Sequence, residues 1–242
     1  MLSLIQSVEN GPHVSFSIHP LIWDWLQLRN KSSQRKKIWQ ESASLLSIVI
    51  KNSFADKSSS NKQQELLAHL DSCLSNSSFM NIRDGLGSGS MREETISFST
   101  FYREHGRYKE SQSLFERLLQ DDKSKLEKNH PSTLTSMANL ASTYRNQGRW
   151  KEAEELEVQV MKIRKRVLGV EHPDTLTSMG NLASTYSNQG QWKEAEELDV
   201  QVMEIRRRAL GEEHPSTLTS MANLASTYRN QGRWKEAEKL EV

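Results

Sequence analysis

Cysteine is almost missing from this chain: Cys73 stands alone among 242 residues. A disulfide framework is therefore excluded, and nothing asks for an oxidising compartment. Long hydrophobic runs are missing too. The most apolar stretch, Leu45 to Ile50, is far short of the about 20 residues that a membrane-spanning helix needs. Met1 to Val8 has no basic start and no small-residue cleavage site, so no secretory signal is expected, and the location to expect is cytoplasmic. Neither sign of charge dominates, with 32 Lys and Arg against 31 Asp and Glu. That balance argues against a general nucleic-acid binder, whose phosphate contacts demand a basic excess, and gives no reason to expect an anionic membrane as partner.

Catalytic and cofactor signatures are also lacking. No G-x-x-x-x-G-K-[ST] occurs, so nothing cradles nucleotide phosphates beside a lysine. Gly85-Leu86-Gly87-Ser88-Gly89 has glycine density without a preceding strand or a lysine, which reads as a flexible joint. Cys73 has no organised histidine partner, and no nucleophile–base constellation emerges. The expectation is no enzyme, no cofactor and no metal. With 35% hydrophobic residues and a mean hydropathy of −0.71, the composition suits a thin, surface-rich helical array.

What is there is a repeat. His130-Pro131, His172-Pro173 and His214-Pro215 recur 42 residues apart, and internal periodicity of this length decides a fold. The third copy departs from the first over their shared length only at Lys239, where the first has Glu155. One step back, Tyr102, Gly106, Tyr108, Lys109, Glu110 and Leu114 fall on Tyr144, Gly148, Trp150, Lys151, Glu152 and Leu156. The array starts near Ser90. Its copies cover about 90–129, 130–171, 172–213 and 214–242, the last one partial.

Each copy reads as two helices. Leu134, Met137, Leu140, Ala141 and Tyr144 recur at three- and four-residue steps, a helical stripe. Pro131 fits the first helical position, and Gly148 suits a left-handed cap. The second helix places Trp150, Ala153, Leu156, Val160, Ile163 and Val167 on one face, with Glu152, Glu154, Glu155 and Lys162 outside. With Trp150 on the packed face, truncating the equivalent Trp192 is expected to cost about 3–5 kcal/mol if the ring is buried. A turn of about four residues makes the pair an antiparallel hairpin. One hairpin buries too little to offset the ordering of its backbone, so neighbours must stack into a one-dimensional solenoid.

The pattern Leu140-Ala141-x-x-Tyr144-x-x-x-Gly148-x-Trp150-x-x-Ala153 resembles the tetratricopeptide signature. The 42-residue spacing and the HPxTLxxxxNLAxxYxxQGxxxEAExL wording are similar to the longer repeats of kinesin light chains. Similar arrays form the C-terminal sensor of NB-ARC receptors in filamentous fungi. The resemblance implies an all-α, right-handed superhelix whose hollow binds peptide segments or partner proteins.

Ahead of the repeats, Val14 to Ile18 alternates as a short strand after an Asn10-Gly11-Pro12 turn. His19-Pro20 opens a helix with Leu21, Ile22, Trp25 and Leu28. Arg35 to Ile50 forms a second, with Ile38, Trp39, Leu45, Leu46 and Val49 apolar, and Asn61 to Leu74 a third. Ser- and Asn-rich breaks fall at 51–61 and 74–90. Residues 1–50 thus form a mostly helical segment and 51–89 a linker with a bridging helix. Phe16-Ser17-Ile18-His19-Pro20-Leu21-Ile22-x-x-Trp25 resembles the close of the winged-helix segment after an NB-ARC module. Leu66-Leu67-x-His69-x-Asp71-x-Cys73-Leu74 resembles the bridge from such a module to its repeats. A small helical cap is the alternative reading.

His130, His172 and His214 sit one per repeat, too far apart to converge on one ion at about 2 Å; they read as helix-entry residues. The basic ends of the second helices, Lys162 to Arg166 and Arg206 to Arg208, complement the helix dipole. The face left for binding is the inner side of the first helices. By resemblance, Asn139, Asn181 and Asn223 match positions that clamp a ligand backbone or carboxylate. Ser142, Ser184 and Ser226 lie one turn further, and Arg145 and Arg229 near the helix ends. Amides offer a donor and an acceptor, and arginine forks onto carboxylates. Ser187 replaces the arginine in the middle copy, and Ser97 the asparagine in the diverged one. Two readings of the asparagines stand: ligand contact, or bridges between adjacent helices.

The expected function is a protein-binding scaffold, as the sensor part of an NB-ARC-type receptor. A kinesin-light-chain-like cargo adaptor is the alternative, and residues 1–89 lack the sustained heptads that would favour it. An NTPase subunit would need nucleotide binding by this chain alone. The last copy ends within its second helix, which leaves an apolar stacking edge and an expectation of self-association.

Overall fold

Proline lacks the N–H that a first helical turn leaves unused, and three of the four repeats begin their first helix on one. In the computed structural model, which describes residues 5–10, 13–18, 32–55, 60–75 and 91–240, the chain divides into two units, 1–82 and 83–242.

In the first unit, strands β1 (Ile5–Asn10) and β2 (His13–Ile18) pair antiparallel from Ile5 opposite Ile18 to Asn10 opposite His13. The strand expected at Val14–Ile18 is therefore present. Its partner β1 was not foreseen. The helix expected from His19-Pro20 lies outside the described residues. Helices α1 (Ser32–Ala55) and α2 (Ser60–Ser75) follow, so α1 runs five residues into the break expected at 51–61.

The packed face of α1 is Trp39, Ala43, Ser47 and Ile50, while Leu45 and Val49 are 65% and 49% exposed. Trp39, Ala43 and Ser47 recur at four-residue steps with Ile50 three further on, so two bulky residues share that face with two small ones. Trp39 Nε1 donates to the Cys73 carbonyl at 3.3 Å, and burial pushes the Cys73 thiol up to about 11. A thiol so raised is a packing group, not a nucleophile.

The second unit is a row of helical hairpins: α3 (Arg92–Glu104) with α4 (Tyr108–Lys125), α5 (Pro131–Asn146) with α6 (Trp150–Leu168), α7 (Pro173–Asn188) with α8 (Trp192–Leu210), and α9 (Pro215–Asn230) with the short α10 (Trp234–Glu238). Each helix packs on the one before and the one after it, and α7 also lies directly beside α5 and α9. The histidines open three of the first helices as expected: Nδ1 of His130, His172 and His214 accepts the N–H of Ser132, Asp174 and Ser216 at 3.1 Å. An acceptor there satisfies one of the orphan donors of the first turn.

Gly148 ends α5 with φ +75°. Its N–H bonds the Arg145 carbonyl and that of Arg149 bonds Tyr144, at 3.0 and 2.9 Å. This is the paired closure that a left-handed residue permits.

The core sits between hairpins. Phe115, Leu118 and Leu119 of α4 meet Leu134, Met137 and Leu140 of α5 and Val160 of α6. Leu176 and Met179 of α7 repeat the arrangement with Val202 of α8 and Met161 of α6. Two residues assigned to the packed face leave it: Trp150 is 40% exposed and Val167 55%. Trp150 is the first residue of its helix and Val167 lies in the last turn, so both sit at helix ends. Trp192, at 42% exposure, cannot carry the loss of a buried ring.

Candidate functional site

Helices α5, α7 and α9 have nearly the same sequence, so their polar residues form rows. Asn139 and Asn181 are half-buried, and Asn223 is exposed. Their backbone carbonyls are used: that of Asn139 accepts from Thr143 Oγ1 at 3.1 Å and that of Asn181 from Arg145 Nη1 at 3.0 Å. Their side-chain amides form no hydrogen bond to any described residue. The helix-bridging alternative therefore has no bond to rest on here. Ser184 Oγ turns back to the Gly180 carbonyl at 3.0 Å. Ser142 is half-buried, and Ser226 and Arg229 lie at the surface.

Arg145 has a different task. Its Nη1 lies 3.2 Å from Glu157 Oε1 as well as reaching the Asn181 carbonyl of the next hairpin, and its side chain is 18% exposed. One guanidinium thus ties α5, α6 and α7 together.

Between hairpins the same polar stations recur. At the first, a carboxylate on a second helix accepts from a threonine on the following first helix: Glu157 from Thr185 at 2.6 Å, Asp199 from Thr227 at 2.8 Å. Both acids are buried, at 2% and 5% exposure. Burial pushes the Glu157 carboxyl up, and the Thr185 bond and Arg145 pull it back. Asp199 is pushed up by burial to about 6, opposed by Thr227. These acids were not foreseen, although the signal was present: Glu157 falls four residues after Ala153 and three before Val160, on the packed stripe itself.

At the second station, Arg164 and Arg206 donate to Ser178 and Ser220 at 2.9 Å and to the carbonyls of Asp174 and Ser216. The diverged copy keeps this station by exchange. Asp122 stands where the arginine would be, and Arg92 of α3 supplies the guanidinium, bonding Asp122, Ser136 Oγ at 3.0 Å and the Ser132 carbonyl at 2.6 Å. At the third, Gln147, Gln189 and Gln231 donate to Gln112, Glu154 and Glu196 at 2.8–2.9 Å.

No group of three or more His, Cys, Asp or Glu among the described residues is placed to hold a metal ion. No described helix is long and apolar enough to cross a membrane.

Stacked hairpins, a serial core and repeated polar stations define a helical-repeat scaffold, and the comparisons name its class. Residues 133–174 and 174–241 match two models of the tetratricopeptide repeat, so this part of the chain consists of tetratricopeptide repeats. Among solved structures it is similar to a Podosopora anserina protein of kinesin-light-chain type with nearly identical TPR-like repeats. The two share 29% identity at a TM-score of 0.65, over 83% of this chain and 92% of that one. BtubC from P. vanneervenii has the same fold, with 15% identity and a TM-score of 0.54 over 87% and 89% of the two chains. A comparison with curated protein sequences finds no match.

Proposed function

We propose that the inner face of α5, α7 and α9 binds an extended peptide or a partner protein's segment, with Asn139, Asn181 and Asn223 contacting its backbone. The observation that carries this reading is the three amides repeating on adjacent helices without a hydrogen bond to any described residue. A polar group left so is available to a ligand that offers donors and acceptors alternately. Arg145 is excluded from that role by Glu157, which leaves Ser142, Ser184 and Ser226 as secondary contacts. Because the copies are nearly identical, a repetitive partner would gain from occupying several at once.

Peptides selected from a displayed random library test the reading. Replacing the three asparagines with alanine together should weaken binding at least about tenfold, equivalent to about 1.4 kcal/mol, with unchanged helicity. Binders indifferent to that triple change would overturn it. A receptor-sensor role rests on the resemblance of Phe16–Trp25 and Leu66–Leu74 to segments that follow an NB-ARC module. The cargo-adaptor alternative draws on the likeness to the kinesin-light-chain type and uses the same face. Self-association belongs to the same proposal, on the face where Leu218 and Trp234 are 51% and 65% exposed, and light scattering at high concentration reads it.

A further inference from the structure

Two neighbouring junctions differ by one arginine and by the length of one acid. In the earlier one, Arg145 donates to Glu157 Oε1 at 3.2 Å and to the Asn181 carbonyl at 3.0 Å, while Thr185 fills Oε2 at 2.6 Å. One repeat later Asp199 replaces Glu157, Asn223 replaces Asn181, and Ser187 stands where the arginine did. Thr227 still donates to Asp199 Oδ2 at 2.8 Å. The other oxygen, Oδ1, has no hydrogen-bond partner among the described residues. Asp199 is 5% exposed, and Oδ1 keeps a little solvent contact, since the fully enclosed side-chain oxygens without a partner among the described residues are those of Thr175 and Thr217.

The charged groups on the packed helices do not supply a cation. Glu196, a turn earlier on α8, is held by Arg233 at 2.7 Å. Arg229 lies at the surface of α9, and on α7 the nearby residues are Tyr186 and Ser187.

By equivalence with Glu157 and Asn181, two acceptors border the place that a guanidinium occupies one repeat before: Asp199 Oδ1 and the Asn223 carbonyl. Ser187 Oγ is taken up by Asn230 Nδ2 at 3.0 Å, and its short side chain supplies no cation to Asp199. A buried carboxylate without a cation is costly, and a planar fork of N–H groups relieves it better than a point charge does. The row of first helices gives the approach, because Arg145 enters its own junction from that side to meet the Asn181 carbonyl.

We propose that the place beside Ser187 and Asp199, between α7 and α9, receives an arginine side chain from the bound peptide. This rests on the peptide-binding reading of the same face and adds the chemistry of one partner residue. Glu157 is closed to such a guest because Arg145 already occupies it, so the chain has one such receptor among the described repeats. That asymmetry would fix the register of a partner on an otherwise repetitive surface.

The experiment is carboxyl-detected NMR on the full chain, with N-acetyl-arginine amide as probe and N-acetyl-citrulline amide as its uncharged control. The arginine probe should move the Asp199 carboxyl resonance and lower its titration midpoint from about 6 toward the ordinary carboxylate range, and citrulline should do neither. Asp199→Asn should weaken probe binding at least about tenfold. Ser187→Arg should remove the response altogether, since the chain then supplies its own guanidinium and Asp199 titrates low without probe. Equal responses to both probes, no response, or an undiminished response in Ser187→Arg would each overturn the proposal. The probe is a single residue and needs no asparagine clamp. Its failure therefore leaves the peptide-binding reading intact, whereas failure of the asparagine test would remove the bound peptide from which the arginine comes while leaving the probe response itself readable.

Discussion

Asp199 and Glu157 occupy the same position 42 residues apart and differ in what answers them. Asp199 keeps its proton up to about 6, well above the ordinary 3.8, so the folded chain holds a proton that the unfolded chain releases between those values. Stability therefore falls as pH rises through that window and stays at its lower level above it. Asp199→Asn preserves an acceptor for Thr227 and removes the buried charge. It should stabilise the chain by about 1–3 kcal/mol at pH 7. The gain should vanish below about pH 4, where the native carboxyl is neutral in both states, and paired thermal melts across pH check it. Removing the cation where one exists has the opposite sign. Arg145→Ala leaves Glu157 buried with Thr185 alone and should cost about 2–4 kcal/mol in denaturant unfolding; a cost under about 0.5 kcal/mol, the level of an ordinary surface change, would show that the pair contributes nothing.

Helices in this array are started and stopped by a small set of residues. His172 accepts the Asp174 N–H through Nδ1, doing what Asn or Asp does at most helix starts. His172→Ala should cost about 1 kcal/mol, and His172→Asn much less, because the amide oxygen replaces the ring nitrogen. Equal loss in both variants would mean that the ring packs rather than caps. Stopping depends on backbone shape: the glycines between paired helices, such as Gly148 and Gly190, hold φ near +75° with nothing within 4 Å of an added Cβ. Their constraint is thus conformational and not steric. The second helices end in arginines that do more than face the dipole, since Arg164 and Arg206 are pinned to serines of the next hairpin.

Because the polar stations and the core repeat with the sequence, one junction can substitute for another. Deleting residues 173–214 joins His172 to Pro215 and brings α9 against α6. Arg164 then meets Ser220, Glu157 meets Thr227, and Arg145 keeps Glu157. The shortened chain should unfold cooperatively, with unchanged helicity per residue and a denaturant slope reduced roughly in proportion to the length removed. Loss of cooperative unfolding would show that the junctions are not equivalent. The exchange of Arg92 and Asp122 for a single arginine in the first junction shows the same logic: the guanidinium is kept at the serine even where its carrier moves to another helix.

The 42-residue period, the histidine-proline starts, the glycine turns and the alternation of helices were all written in the sequence, because local backbone preferences and the helical stripe act over a few residues. So were the rows of Asn139, Asn181 and Asn223, which follow from repetition alone. Tertiary structure decided which side chains those rows could spare. It drew Arg145 out of the row on the proposed binding face and into an ion pair, put Glu157 and Asp199 inside the array, and left Trp150 and Trp192 half in solvent. Each of those outcomes depends on how far one hairpin overlaps the next, a distance that no spacing within a single hairpin encodes.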